Sequence, residues 1–137
     1  MTIVEVKILK TTKWGSIIRN GVKTDVLEDS TISYLTHFGY DIELIRPTSI
    51  EKTNNPDILM FGAIWEIKTL LTSNEKTIKK RFHKASKQAS KIIFDLRNIK
   101  KDADVAEKQI LKLFVGNGNV SRLMLVKKDG KMLDIFK

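Results

Sequence analysis

Cysteine is absent from the 137 residues, so neither a disulfide framework nor a thiolate zinc site can staple this chain. Histidine is nearly absent too: His37 and His83 are the only two, which excludes a histidine-rich metal centre. Only two prolines occur, and no repeat or low-complexity tract is visible. No segment approaches the roughly 18 to 20 consecutive apolar residues that span a bilayer. The opening "MTIVEVKILK" alternates charged and apolar residues and does not resemble a signal peptide. A soluble protein with no membrane partner is therefore expected. Acidic charge is the last shortage. Asp and Glu number 16 against 25 Lys and Arg, a net charge of +9, which favours a polyanionic partner.

What is present is enough for one core. With 42% apolar residues, the chain is expected to form a single domain over 1–137. "TIVEVKIL" alternates as a strand, and Asn20-Gly21 carries the signal of a type I′ turn between two short strands. From Val26 the period turns helical, with Leu27, Ile32, Leu35 and Phe38 on one face and Gly39 as terminator. "YDIELI" alternates as a strand and "TSIEKTNN" is a polar loop. Ser73 or Asn74 can cap a helix from about Glu75 to Ser90, with Ile78, Phe82, Ala85 and Ala89 as its apolar stripe. "KIIFDL" is a buried-type strand. "DADVAEKQILKLF" is a second helix, with Val105, Ile110, Leu113 and Phe114 toward the core, and "VGNGN" is a connector. "SRLMLV" and "KMLDIF" flank Lys128-Asp129-Gly130 as a hairpin. The order predicts an α/β (α+β) fold: a mixed, partly antiparallel sheet flanked by helices.

The segment "NPDILMFGAIWEIKTL" places Asp57, Glu66 and Lys68 inside apolar runs. A type II′ turn at Gly62-Ala63 would put Phe61 opposite Ile64, Leu59 opposite Glu66 and Asp57 opposite Lys68. The three charged side chains then share one face, with Ile58, Met60, Trp65 and Ile67 on the other. Diagonal neighbours lie about 7 to 8 Å apart, so Asp57 and Glu66 can converge on one Mg²⁺ or Mn²⁺ beside Lys68. Phosphodiester hydrolysis needs such a set: a metal to activate water and neutralise charge, and a lysine to orient water or stabilise the developing anion. An Asp57–Lys68 ion pair on a solvated sheet face fits the same spacing.

Helix 75–91 carries Lys76, Lys79, Lys80, Arg81, Lys84, Lys87 and Lys91 against Glu75 alone. Like charges four apart repel, so this face is read as a phosphate-tracking surface rather than a merely solvated one. Gln88, one turn beyond Lys84, can donate to a phosphate or hold a water. Trp14, with Lys13 and Arg19 nearby, is expected to pack in the core or anchor the N-terminal hairpin, with stacking on a base as the alternative. His37, near a helix end, is expected to meet the helix dipole or solvent.

Pro56-Asp57 followed by Glu66-Ile67-Lys68 resembles the signature of the PD-(D/E)XK nuclease superfamily. The longer run "LEDSTISYLTHFGYDIELI…NNPDILMFGAIWEIKTL…IKKRFHKASKQASKIIFDLR" resembles the C-terminal toxin domains of CdiA contact-dependent inhibition proteins, over roughly residues 26 to 97 and loosely the last hairpin. The resemblance implies a metal-dependent nuclease, often acting on tRNA and often held inactive by a cognate immunity protein. It implies Asp57 and Glu66 as metal ligands and Lys68 as the catalytic lysine. The acidic residue of the preceding helix falls on Glu28, with Asp25 and Asp29 as rivals. Lys79, Lys80, Arg81, Lys84 and Gln88 would bind substrate, and an acidic immunity protein would cover the same face. The resemblance further implies delivery as the C-terminal part of a larger secreted protein and action in the cytoplasm of a target bacterial cell. Residues 1–24 lie outside it. Alternatives are a DNA endonuclease of the same superfamily, a metal-independent ribonuclease related to barnase and colicin D using His83 or His37, and a non-catalytic nucleic-acid-binding module.

Overall fold

The computed structural model describes residues 1–8, 11–45 and 58–137. Along the chain run β1 (Thr2–Val6), β2 (Ile17–Ile18), α1 (Val26–Thr36), β3 (Ile42–Leu44), β4 (Ile58–Met60), β5 (Ala63–Thr69), α2 (Glu75–Gln88), β6 (Lys91–Asp95), α3 (Ala103–Gly116), β7 (Arg122–Val126) and β8 (Met132–Phe136). Among the described residues the strands form one mixed sheet in the order β1-β8-β7-β6-β5-β4-β3-β2. The α+β architecture with helix-flanked, partly antiparallel strands is as expected from the sequence.

The topology follows from the connections. Strands β5, β6 and β7 run parallel, and parallel neighbours need crossovers, which α2 and α3 supply. Their apolar stripes, Ile78, Phe82 and Ala85 from α2 with Ala106, Ile110 and Phe114 from α3, pack on Leu70, Ile92, Phe94, Leu123 and Leu125. The opposite sheet face carries Trp65, Ile67, Ile93, Met124 and Val126, and α1 covers it with Ile32 and Leu35. Asn74 caps α2 by accepting from the Thr77 N–H at 3.1 Å. That helix ends at Gln88, slightly earlier than its charge pattern suggests, because Ala89 is already extended.

Four expectations need correction. The β4–β5 turn lies at Phe61-Gly62, not Gly62-Ala63: both residues have positive φ (55° and 71°), and Met60 pairs with Ala63. This is a type I′ turn, whose twist matches that of the flanking strands. The Phe61 ring sits edge-on to Tyr40 at 4.7 Å, a packing contact at this costly left-handed position. Leu59 therefore faces Ile64 and Ile58 faces Trp65. The pairing moves by two residues, so among the described residues each side chain keeps its expected face.

Second, Asn20-Gly21 does turn (φ 50° and 73°), but no hairpin forms around it. Strand β2 instead pairs in parallel with β3, and the Asn20 amide donates to the Leu44 carbonyl at 2.9 Å. Third, Val105 is 52% exposed, and Ala106 takes its place in the core. Fourth, of the two expectations for Trp14 the core one fails: the residue is 72% exposed and lies against His37, ring centroids 4.1 Å apart. Its neighbour Gly15 is forced to be small. A Cβ there would stand 1.8 Å from the Tyr40 carbonyl oxygen, where the chain presses between α1 and β3.

Candidate active site

Strand β5 sits between β4 and β6 with both of its faces covered, and residues Trp65 to Thr69 are all buried. Alternation sends Trp65 and Ile67 into the α1 side of the core. Glu66 and Lys68 consequently emerge on the other face, toward α2. They are 1% and 3% exposed, with Lys68 Nζ 3.4 Å from Glu66 Oε1. This is a buried ion pair along one strand, on a covered rather than a solvated sheet face; Asp57, the cross-strand partner that spacing also allows, is not among the described residues.

The pair is held under electrostatic tension. Burial pushes the Lys68 ammonium below its usual pKa, Glu66 pulls it back up, and Arg81 and Lys84 of α2 push it down again. A lysine eased toward neutrality beside a carboxylate and facing two further cations can hold an anionic oxygen or move a proton. Gln88, half-buried one turn on, has a buried Oε1 with no hydrogen-bond partner among the described residues.

Of the substrate-binding residues expected from sequence, Arg81 and Lys84 lie close enough to Lys68 to lower its pKa. Lys79 and Lys80 line a different groove, between α2 and α3, and His83 lies with them. The basic face of α2 is therefore two faces.

Helix α1 separates the three acidic candidates. Asp25 caps the helix, accepting from the Glu28 N–H at 2.8 Å. Asp29 accepts from Arg19 at 3.1 Å and from the Thr24 hydroxyl, contacts that hold its carboxyl below the usual range. Glu28 is buried, and its Oε2 has no hydrogen-bond partner among the described residues. Burial, then the Asp25 hydrogen bond and the Asp25 and Asp29 charges, push its pKa up to about 7. Asp57 lies outside the described residues. Among those described, no three acidic or histidine side chains gather as a metal site.

A pH-dependent stability follows for Glu28. Folded Glu28 keeps its proton up to about pH 7, whereas the unfolded carboxyl releases it near 4.5. The stabilisation from the raised pKa is thus full below pH 4.5 and is lost as pH rises through 7. Glu28→Gln, which cannot ionise, should melt several degrees above the wild type at pH 8, a gain on the order of 2 kcal/mol. The gap should close by about pH 4.5, so parallel melting curves at the two pH values check it. An equal gap at both would show that Glu28 is not protonated on folding.

Sequence reasoning missed Asp95. This fully buried carboxylate at the end of β6 accepts from Arg97 Nη2 at 2.8 Å and from the Thr31 hydroxyl at 2.6 Å. Arg97 in turn donates to the Ser30 carbonyl at 3.1 Å and lies over the Tyr34 ring at 4.3 Å. The cluster fastens α1 to the sheet. Its signal was an aspartate inside the apolar run "KIIFDL", followed two residues later by an arginine.

No curated protein sequence matches the chain significantly. Among solved structures, the fold is similar to one described as the CdiA-CT/CdiI toxin and immunity complex from Burkholderia pseudomallei, with a TM-score of 0.64. The likeness covers 90% of this chain and 100% of that one at 20% identity, which shows a shared fold. Residues 53–132, from before β4 through the first residue of β8, match the profile of the contact-dependent growth inhibition CdiA C-terminal domain. That span is more than half of the chain, which holds the Glu66–Lys68 strand and the basic helix, and the protein belongs to the CdiA C-terminal domain family.

Proposed function

We propose that this domain is a metal-dependent nuclease of the PD-(D/E)XK type, the toxic part of a contact-dependent growth inhibition system, cutting phosphodiester bonds in RNA with tRNA as the preferred substrate. The observation that carries the reading is the buried Glu66–Lys68 pair facing Arg81 and Lys84. Burying two charges on an interior strand costs several kcal/mol per ion before compensation. A structural pair is expected to minimise that cost. Placing two more cations near the lysine raises it, unless an anion arrives to be held.

The donor chemistry fits a hard cation. Carboxylate oxygens, with no thiolate or histidine cluster nearby, suit Mg²⁺ or Mn²⁺, and Glu66 with Asp57 would hold it. When bound, such a metal supplies a Lewis acid to the scissile phosphate. The chain does the rest. Arg81 and Lys84 attract the phosphate, and their repulsion of Lys68 is relieved as its negative charge enters. Lys68 stands ready to donate a hydrogen bond to the developing anion or to move a proton, helped by its lowered pKa. Glu28 would contribute a third carboxyl from α1, the helix on the Trp65–Ile67 side of β5, with Gln88 donating to phosphate or water. A cognate acidic immunity protein would block the site by covering the basic helix. Delivery would be as the C-terminal part of a larger protein, with action in the cytoplasm of a target bacterium. Among the described residues no helix is long and apolar enough to cross a membrane.

Incubation with total tRNA and with plasmid, each with Mg²⁺, Mn²⁺ or EDTA, tests the reading. Cleavage of tRNA should require the divalent ion and stop with EDTA. Preferential cutting of plasmid would move the substrate to DNA. Full RNA cleavage in EDTA would discard the metal and turn attention to His83 and His37. No cleavage of either under any condition would leave a binding module.

A further inference from the structure

A groove of about 750 Å³ lies away from the Glu66–Lys68 pair, on the far side of α2, against α3. Its volume falls in the range of small-ligand sites, about 300 to 1,000 Å³. Lys76, Lys79 and Lys80 line it from α2 and Lys112 from α3, with His83 beside them and Leu113 and Phe82 giving it an apolar floor. The Gln109 amide donates to the Glu75 carbonyl at 2.8 Å, tying α3 to the first turn of α2 and setting the groove's width. None of the four lysines forms an ion pair among the described residues. Lys76 and Lys80 are four residues apart on one helix, where like charges are destabilising.

From this geometry we infer that the α2/α3 groove is a second anchoring site for single-stranded RNA, its lysines holding phosphates and its apolar floor taking an unpaired base. The inference rests on the nuclease reading and extends it along the substrate. Lys76 and Lys84 are eight residues apart, about 12 Å along the helix axis. One strand crossing α2 can therefore meet the groove and the Arg81–Lys84 face in sequence, a distance of more than one nucleotide. The ligand is a polyanion rather than a metal or a neutral molecule, because among the described residues four ammonium groups without an ion-pair partner surround a cavity with Glu75 as its one acid. An apolar floor beneath that ring suits an unstacked base better than a duplex backbone, whose bases are turned inward.

The test is titration of fluorescently labelled total tRNA with the full domain in EDTA, from 50 to 200 mM salt, comparing wild type with Lys76→Ala/Lys112→Ala. Two lost contacts should weaken binding about tenfold and flatten the slope of log K against log salt by about 1.4, at about 0.7 per contact. Lys100→Ala/Lys101→Ala, which removes the same charge from a loop outside the groove, should change the slope far less. Both helices should stay folded, as judged by melting, because Lys76 and Lys112 are exposed. Unchanged affinity and slope in the groove variant, or an equal loss in the loop variant, overturns the inference. The first result would overturn it even if that variant no longer bound an acidic protein partner. If the wild type cleaves tRNA while the groove variant binds like wild type, only the groove falls. If the wild type neither binds nor cleaves RNA, the nuclease reading falls and takes the groove with it.

Discussion

Lys68→Met should bind RNA as tightly as the wild type and cut it about 10²- to 10⁴-fold more slowly, the range associated with removing one positioned proton-transfer group. Methionine matches the lysine stem in shape, so the cavity at this 3%-exposed position stays filled while its charge disappears. Single-turnover cleavage at saturating enzyme isolates the chemical step, and anisotropy in EDTA reports binding separately. Asp57→Ala and Glu66→Gln should fall in the same class. Cleavage near the wild-type rate in folded Lys68→Met would remove the lysine from the reaction and leave the buried pair as a structural feature.

Glu66→Gln should unfold about 10 °C or more below the wild type, and adding Lys68→Met should recover at least half of that loss. The reason is an asymmetry of buried pairs. Removing one partner strands the other charge and costs about 3 to 5 kcal/mol, whereas replacing both is often close to neutral. Here the stranded group would be Lys68, which also faces Arg81 and Lys84 without its carboxylate. A fall in pKa toward the neutral amine would soften the loss at high pH, so the deficit should be larger at pH 6 than at pH 9. Thermal melts of the wild type, both single variants and the double variant complete the cycle. Additive losses in the double variant would mean that the two side chains do not stabilise one another.

The position of Glu66 and Lys68 was readable because side-chain alternation is robust. Alternation sets the hairpin turn one residue too late, yet the pairing differs by two residues, and a shift of two returns each described side chain to its own face. Periodicity likewise located the stripes of α2 and α3, although it could not distinguish Val105 from Ala106 at the edge of a helix face. What stayed hidden was decided by tertiary partners. The burial of the Glu66–Lys68 pair depends on α2 closing over β5, and local alternation carries no information about which helix covers which face. The division of α2 into two basic faces likewise depends on where α3 lies. Asn20-Gly21 shows the limit most clearly: the turn formed as its residues demand, but β2 found its partner in β3, across a helix. The resemblance to CdiA toxin domains over residues 26 to 97 met a family match over 53–132, which extends through α3 and leaves α1 outside.

Because β5 is covered on both faces, Glu66 and Lys68 have their conformations fixed before any substrate arrives. A lysine side chain forfeits as much as about 2 kcal/mol of rotamer entropy when it is immobilised. In this domain that entropy is lost during folding, so none of it is subtracted from the binding of substrate or from the barrier to reaction. The converse is a loss of tolerance. A rigid pair on an interior strand cannot swing to meet a phosphate presented at the wrong angle, so the discrimination between substrates falls to the mobile lysine and arginine stems of α2 rather than to the pair itself.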